Sequence, residues 1–455
     1  MLENFYSSVV FITGGQLWTG VKRLDEPSST FSGTPSIEEY LQKSGEVFYG
    51  ALRNSFPKCR QDSMRLCLLS GEELNKCEAI KMAFAAAALP QALQCVVGYS
   101  TDNCVQMVNS DKADLAVMEA HRADHYTHQS KVTPILTEVF GNVKEYALAV
   151  SLGTGRVSKL TDLKSGQLNV CSAGTDSYSG WEAPNRAFKA TGVLPKGACR
   201  LNEDWAKLFR TSCVPGARNA TVTLGRDSSE SINSNTVSGL CASCTGGPGS
   251  CLTPSEATDR KTFDNYYGDI GALRCLTRRN GDVAFVSSSA LFTMVELMQR
   301  GDADFRQIDL SNYNLLCGDG ASSEKATADT IPTCNLGEVP KRWMVAKSGA
   351  DETKVSRWQN LWILAVERAR NSFDWLKTFT NLEPGNTDHL SDLIFTNWTQ
   401  AFQRISTANL TEEEYHDMAY GDLENPFLCG LATGLSPPLI SLLVALLSVI
   451  LCSFR

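Results

Sequence analysis

The sequence predicts an α/β fold with mixed β-sheets. Short apolar runs alternate with segments of helical periodicity from residue 64 onward, which is typical of this class. Hydrophobic residues make up 43% and charged residues 20% of the 455-residue chain, as in globular proteins. That length allows about two to four domains. The net charge of −8 argues against nucleic-acid binding, which requires a basic face.

The elements follow one another in a clear order. The predicted strands and helices are a strand at 64–70, a helix at 72–88, a strand at 93–100, a helix at 104–112, and strands at 113–119, 145–152 and 168–174. A helix entered through a turn follows at 179–194. Glycine, serine, threonine and cysteine dominate residues 214–264, which predicts an irregular, disulfide-stapled loop. Regular structure resumes over 271–292, and an amphipathic helix is predicted at 355–379.

Several features indicate an extracellular protein. The chain has 16 cysteines, and Asn219, Asn397 and Asn409 each begin an Asn-x-Thr sequon. The C-terminal end runs from small residues through a proline-containing spacer into an apolar stretch. This order is typical of a GPI-attachment signal, with Gly430 as the expected attachment residue. A membrane-spanning helix is the alternative, but the apolar stretch is near the lower length limit for one. The sequence therefore predicts GPI anchoring at the outer face of the plasma membrane.

One short stretch holds three of the five histidines. His121, His125 and His128 follow Glu119 at helical spacing, which would place them on one helix face. Such a trio could bind Zn²⁺ or Cu²⁺ with Glu119 as a fourth ligand. The alternative is an ordinary polar helix with titrating histidines, which is the more common case.

Six motifs, in order, resemble the transferrin family, and two lobes followed by a GPI-type tail would resemble its melanotransferrin-like members. They are "RLCLLSGEELNKCEAIK", "ADLAVMEA", "EYALAV", "VCSAGTDSYSGW", "YYGDIGALRCLTRRNGDVAFV" and "CNLGEVPKRWMVAK". The resemblance implies a bilobal, periplasmic-binding-protein-like lobe at 62–430, with two α/β subdomains around a cleft. Subdomain one would comprise 62–143 and 341–428, and subdomain two 144–340. Residues 1–61 would be the end of a preceding lobe, and 431–455 the GPI signal.

The resemblance also implies a disulfide framework. The expected pairs are Cys67–Cys104, Cys77–Cys95, Cys171–Cys275, Cys199–Cys429, Cys213–Cys244, Cys241–Cys251 and Cys317–Cys334. Cys452 falls in the GPI signal, and Cys59 lacks its expected partner, which predicts a free or intermolecular thiol. Gly216 stands where the family usually has a further cysteine.

Transferrin lobes bind ferric iron together with carbonate, and the resemblance identifies the corresponding positions here. The aspartate position is Glu119, the two tyrosine positions are Glu145 and Asp269, and the histidine position is Arg342. The carbonate-binding threonine and arginine become Ala173 and Ser177. No family ligand is retained unchanged. Arg342 could instead bridge Glu145 and Asp269 as an internal ion cluster.

These substitutions predict a cell-surface lobe that does not bind iron and has a structural or protein-interaction role, with a protein partner of unknown identity. The alternative is a metal carrier, of iron or another metal, that uses a remodelled carboxylate and histidine site or an intact first lobe not present in this sequence. We find no nucleophile elbow and no metallohydrolase motif in the sequence, so it does not predict an enzyme.

Overall fold

The computed structural model describes most of the chain between residues 63 and 405. The described ranges are 12–13, 16–17, 63–69, 71–86, 93–98, 100–153, 155–198, 200–218, 234–249, 251–253, 264–299, 301–305, 309–369, 393–396 and 399–405. The chain divides into two compact units, residues 1–61 and 62–455. In the first unit, β1 (Ile12–Thr13) and β2 (Gln16–Leu17) form an antiparallel pair.

The second unit contains the remaining strands and helices. Its strands are β3 (Met64–Leu68), β4 (Leu93–Val97), β5 (Leu115–Glu119), β6 (Val132–Val139), β7 (Ala147–Leu152), β8 (Asn169–Ser172), β9 (Thr211–Cys213), β10 (Val283–Ser287), β11 (Tyr313–Leu315), β12 (Glu324–Lys325), β13 (Arg342–Lys347) and β14 (Ala401–Arg404). Its α-helices are α1 (Gly71–Ala86), α2 (Thr101–Asn109), α3 (Ala120–His128), α4 (Ala183–Ala190), α5 (Leu201–Leu208), α6 (Ser234–Cys241), α7 (Gly268–Thr277), α8 (Ser288–Gln299) and α9 (Glu352–Ala369).

These strands form two six-stranded mixed sheets. Sheet one has the order β14-β6-β13-β5-β3-β4, and sheet two has the order β12-β11-β7-β10-β8-β9. In each sheet three neighbouring strands are parallel and the others join antiparallel. The predicted α/β class with mixed sheets is confirmed. We call the parts built on these sheets subdomain one and subdomain two, and the junction between β5 and the start of α4 the cleft.

Six disulfides staple the second unit. They are Cys67–Cys104, Cys77–Cys95, Cys171–Cys275, Cys213–Cys244, Cys241–Cys251 and Cys317–Cys334. These pairs are the same as six that the family resemblance implies. The expected Cys199–Cys429 bridge lies outside the described residues, as do Cys59, Cys452, Gly430 and the three sequon asparagines.

One local expectation needs correction. Residues 214–264 were predicted as an irregular loop, but they include α6 (Ser234–Cys241), an eight-residue helix. Gly216 has a positive φ of 85°, and a Cβ there would lie 2.4 Å from Thr175 Oγ1. Any side chain would therefore be strained and would collide, so glycine fits this position where the family usually has cysteine.

A buried carboxylate fixes one edge of the cleft. Glu138 in β6 is 1% exposed and accepts hydrogen bonds from the amides of Arg342 (2.8 Å) and Thr396 (2.7 Å) and from Thr399 Oγ1 (2.7 Å). A buried carboxylate is stable only when several donors satisfy it. Glu138 thereby attaches the segment before β14 to sheet one and holds the first residue of β13 opposite Glu119. Among the described residues, no helix is long and apolar enough to cross a membrane.

Candidate functional site: the cleft between the two subdomains

Glu119 joins the two subdomains directly. It is the last residue of β5 and precedes α3, and its side chain is 22% exposed. Its Oε2 accepts a hydrogen bond from the backbone amide of Tyr178, at 2.9 Å. Tyr178 begins a π-helical turn, Tyr178–Glu182, that continues into α4 of subdomain two. The first amides of a helix lack partners within it and favour negative charge, so a carboxylate is a suitable acceptor there.

The adjoining loop supplies a second acceptor for the same turn. Ser177 is the N-cap, and its Oγ accepts a hydrogen bond from the amide of Gly180 at 3.1 Å. A Cβ on Gly180 would lie 2.9 Å from both the Cβ and the amide nitrogen of Ala173, so the loop packs tightly against the helix start. The two expected carbonate positions, Ala173 and Ser177, therefore border a turn in which Glu119 and Ser177 already bind two amides.

Arg122 places a positive charge in the cleft. It lies in α3, is half-buried, and hydrogen-bonds to Tyr126. Burial disfavours its charge, but Tyr126, Asp176 and Asp102 outweigh burial and hold its pKa above the ordinary value. Asp176 belongs to the other subdomain, so the favourable interaction crosses the cleft.

Two acidic residues of subdomain two respond to that charge. Burial raises the pKa of Asp176, and Arg122 and the Tyr267 hydroxyl act in the opposite direction. That hydroxyl donates to Asp176 Oδ2 at 3.0 Å. Burial also raises the pKa of Glu182, and Arg122 again opposes the shift. The charge of Arg122 therefore favours the ionised forms of two carboxylates of the opposite subdomain, and Lys189 adds to this effect at Glu182.

The Glu119 carboxylate has a strongly altered affinity for protons. Burial raises its pKa to about 7, although Arg342 and the Tyr178 amide favour the ionised form. Arg342 is the cross-strand partner of Glu119 in the β5–β13 pair. The structure thus brings together two of the four predicted ligand positions. Burial also raises the pKa of Glu138, and the charge of Arg342 opposes that shift. Bridging of Glu145 by Arg342 stays a prediction.

The other two ligand positions lie in subdomain two or at its start. Glu145 is buried, and its carbonyl accepts the amide of Val339 at 2.8 Å. Asp269 lies in the first turn of α7, where its carboxylate accepts hydrogen bonds from the amide (3.1 Å) and hydroxyl (2.6 Å) of Ser287. It also accepts one from Ser179 Oγ at 3.1 Å, which links it to the turn that Glu119 contacts. These contacts make Asp269 an acceptor for hydroxyl groups of its own subdomain.

The three histidines of α3 do not converge on one metal site, which corrects that expectation. His121 is buried, and its Nδ1 lies 3.5 Å from Glu119 Oε2. His125 Nε2 instead lies 2.9 Å from Gln129 Nε2, and His128 pairs with Asp124 at 3.3 Å. Their spacing extends over about 10 Å of helix axis, so each histidine finds a different neighbour. Burial and the nearby Arg122 lower the pKa of His121 to about 3, so this imidazole is neutral at physiological pH.

The described residues contain one other grouping with metal-ligating atoms, and its chemistry does not fit a metal. Cys213, Cys244 and Asp264 lie together, but the two cysteines form a disulfide. Asp264 accepts hydrogen bonds from the amides of Thr245 (3.0 Å) and Tyr266 (2.9 Å). This carboxylate therefore organises the loop that carries Tyr267 towards the cleft.

Sequence reasoning missed three residues of the cleft: Arg122, Asp176 and Tyr178. Arg122 follows Glu119 by three residues, which places both near the same end of α3. Asp176 lies in the loop whose Ala173 and Ser177 were singled out. Charged residues beside substituted ligand positions are a signal that could have identified both.

Comparisons with known proteins agree with this architecture. A family model described as Transferrin matches residues 64–422. Transferrin 2 of Drosophila melanogaster is 30% identical over 334 residues, which cover 72% of this chain and 37% of that protein. Melanotransferrin of Oryctolagus cuniculus is 29% identical over 301 residues, covering 65% of this chain and 37% of that protein. Melanotransferrin of Homo sapiens is 28% identical over 303 residues, with coverages of 65% and 37%.

The chain thus spans little more than a third of the length of these relatives. The matched region contains both mixed sheets, the six disulfides and every cleft residue described above. Because the family model covers well over half of the sequence, the chain belongs to the transferrin family.

Proposed function

We propose that this chain is an extracellular transferrin-family lobe whose own side chains hold its two subdomains together, and that it acts as a structural or protein-interaction lobe. The observation that carries the proposal is the hydrogen bond from the Tyr178 amide to the Glu119 carboxylate across the cleft. The carboxylate and the Ser177 hydroxyl satisfy amides at a helix start, where the family binds carbonate. The contact needs no bound anion and no metal ion.

The charges of the cleft support the same proposal. Ferric iron, the family's cargo, would have to bind beside the guanidinium groups of Arg122 and Arg342, which repel a cation. Carbonate would have to bind where Ala173 offers no side-chain donor and Ser177 no positive charge. A helix N-terminus alone contributes about 1 kcal/mol to anion binding. These residues therefore do not fit the ferric ion and carbonate pair.

A second candidate function is the carriage of another metal ion by Glu119 and His121. The separation of 3.5 Å between His121 Nδ1 and Glu119 Oε2 favours it, because this is about the ligand spacing in a tetrahedral zinc site. The two arginines act against it, and the Tyr178 amide already binds the same oxygen. We therefore place it second, together with iron transport by a further lobe of a longer protein.

We further propose that the chain is attached to the outer cell surface by a GPI anchor at Gly430. The small residues, spacer and apolar stretch near the end of the sequence support this location. The six disulfides support an oxidising, extracellular compartment.

Treatment of expressing cells with a phosphatidylinositol-specific phospholipase should release the protein into the medium. A known GPI-anchored protein on the same cells serves as the control for enzyme activity. Retention of this chain while the control is released would contradict the anchor.

Ferric iron should not load into this lobe. We expect no bicarbonate-dependent tyrosinate-to-iron absorption band when ferric nitrilotriacetate is added to the purified chain, because the anion and metal positions are substituted. A serotransferrin measured in parallel provides the positive control. A visible band that appears and requires bicarbonate would overturn the proposed function.

The pH dependence of the cleft contact follows from the groups that face one another there. Burial in the cleft raises the pKa of Glu119 from 4.5 to about 7, although the Tyr178 amide itself favours the ionised form. The buried arrangement therefore favours protonated Glu119 and loses stability as the pH rises from 4.5 to about 7. Burial also raises the pKa values of Asp176 and Glu182, so both residues likewise make the buried arrangement less stable as the pH rises. His121 has the opposite effect on stability. Its pKa falls from 6.5 to about 3 when it is buried, so the buried arrangement loses stability as the pH falls below 6.5.

Removal of His121 should therefore make the lobe more compact on acidification. We expect His121→Gln to show a radius of gyration, from small-angle X-ray scattering, that decreases from pH 8 to pH 5.5 relative to the parent chain. His128→Gln, which changes an exposed histidine of the same helix, is the matched control and should follow the parent. An increase in the radius of gyration of His121→Gln over this range, relative to the parent, would contradict the pH dependence assigned to the acidic residues of the cleft.

A further inference from the structure

Subdomain two has a side that faces away from sheet two and is formed by two packed helices. The Phe188 ring of α4 lies 5.5 Å from that of Trp205 in α5, and both rings pack against Phe285 of β10 at 5.5 and 5.6 Å. Both helices therefore cover the same face of the sheet with their aromatic residues. The opposite sides of the helices point outward.

Exposed basic residues lie on α5 and on the segments next to these two helices, and we call them the basic surface: Lys164, Lys196, Arg200, Lys207 and Arg210. Arg200 is the N-cap of α5 and Lys207 lies in its last turn, seven residues later, which places them on one helix side; their side chains are 64% and 73% exposed. Lys164 Nζ would lie 3.9 Å from a Cβ on Gly192, in the loop after α4. Arg210 lies two residues after the end of α5 and is oriented by a hydrogen bond from its Nε to Asn169 Oδ1 at 3.1 Å.

Acidic residues nearby compensate only part of this charge. Glu203 lies between Arg200 (3.3 Å) and Lys207 (3.9 Å), so one carboxylate is shared by two cations. Asp162 binds the amides of Ser158 and Lys159. The segment 196–210 has four basic and two acidic residues, whereas the whole chain has a net charge of −8. The positive charge is thus local and does not follow from composition.

The arrangement of this charge indicates the chemistry of a ligand. Arg200 and Lys207 lie about 10 Å apart along the helix axis. A single small anion is too short to contact both cations, whereas a linear polyanion can. Guanidinium groups bind sulfate-like oxyanions in a planar, bidentate geometry, and lysines add point charges. Clusters of this kind bind nucleic acids or sulfated polysaccharides. The six disulfides indicate an oxidising, extracellular compartment. The polyanions that a protein meets there are sulfated polysaccharides.

We propose that the basic surface binds a linear sulfated polysaccharide. The inference rests on the extracellular location in the proposed function and identifies a class of partner for the lobe. It does not involve the cleft, so iron loading and polysaccharide binding are independent measurements.

The test is retention of the full chain on immobilised heparin and elution by a sodium chloride gradient. The parent should be retained at about 0.15 M salt, because surface charges still interact over about 8 Å there. The variant Lys196→Ala/Lys207→Ala/Arg210→Ala should elute at clearly lower salt. The control Lys112→Ala/Lys131→Ala/Lys144→Ala removes three exposed lysines elsewhere, changes the net charge equally and should elute with the parent.

Three outcomes would overturn the inference. The first is no retention of the parent on heparin. The second is an equal shift of the control variant, which would assign retention to net charge. The third is equal retention on desulfated heparin, since the ligand would then not be a sulfated polysaccharide. If the parent does not bind heparin, binding to phosphatidylserine vesicles would identify a lipid surface as the ligand instead. The circular dichroism spectra of all variants should match that of the parent, which separates loss of binding from loss of folding.

Discussion

The hydrogen bond between Glu119 and the first amide of the helix that starts at Tyr178 is the interaction on which the account of the cleft depends. A helix start presents unpaired N–H groups and a partial positive charge, and these need an acceptor wherever they are withdrawn from water. In this chain the acceptor comes from the other subdomain. Glutamate reaches one methylene further than the aspartate that the family resemblance places at this position, and its Oε2 lies 2.9 Å from the Tyr178 amide. Because Glu119 ends a central strand of sheet one, the contact joins the two halves through rigid elements.

Charge compensation is the second constraint on the cleft. Glu119, Asp176 and Glu182 are three carboxylates withdrawn from water, and burial raises the pKa of each. Like charges held close together destabilise a closed arrangement unless a cation lies among them. Arg122 and Arg342 supply that charge from subdomain one. A fixed guanidinium compensates the carboxylates permanently, whereas a metal ion would do so only when loaded.

Much of the fold could be predicted from the sequence, because short-range patterns determine the individual strands and helices. The alternation of predicted strands and helices led to the mixed sheets, and the six disulfides join the cysteines that the family resemblance pairs. The expected helix at 179–194 occurs as Tyr178–Glu182 continued by α4, because Ser177 caps it. The helix within 214–264 was missed because glycine and serine dominate that stretch.

The candidate site was harder to predict, because its contacts join distant parts of the chain. Glu119 and Arg342 could be identified from their motif positions, and adjacent strands bring them together. The electrostatic interaction between Arg122 and Asp176 joins residues more than fifty positions apart, and no motif encodes it. The histidine spacing correctly indicated a helix, but periodicity does not tell which end of that helix lies in the cleft. His121 alone lies there, and the two others extend away from it.

Hydrogen exchange at the Tyr178 amide reports on the contact between the two subdomains. In protein freed of metal by a chelator, the account predicts slow exchange for the segment 177–181 and exchange at least about tenfold faster in Glu119→Ala, since a hydrogen bond to a charged group is worth about 1.5–3 kcal/mol. The strands of sheet two should exchange alike in both proteins. Equally fast exchange in both, or protection that appears only after ferric iron and bicarbonate are added, would contradict an internally closed lobe.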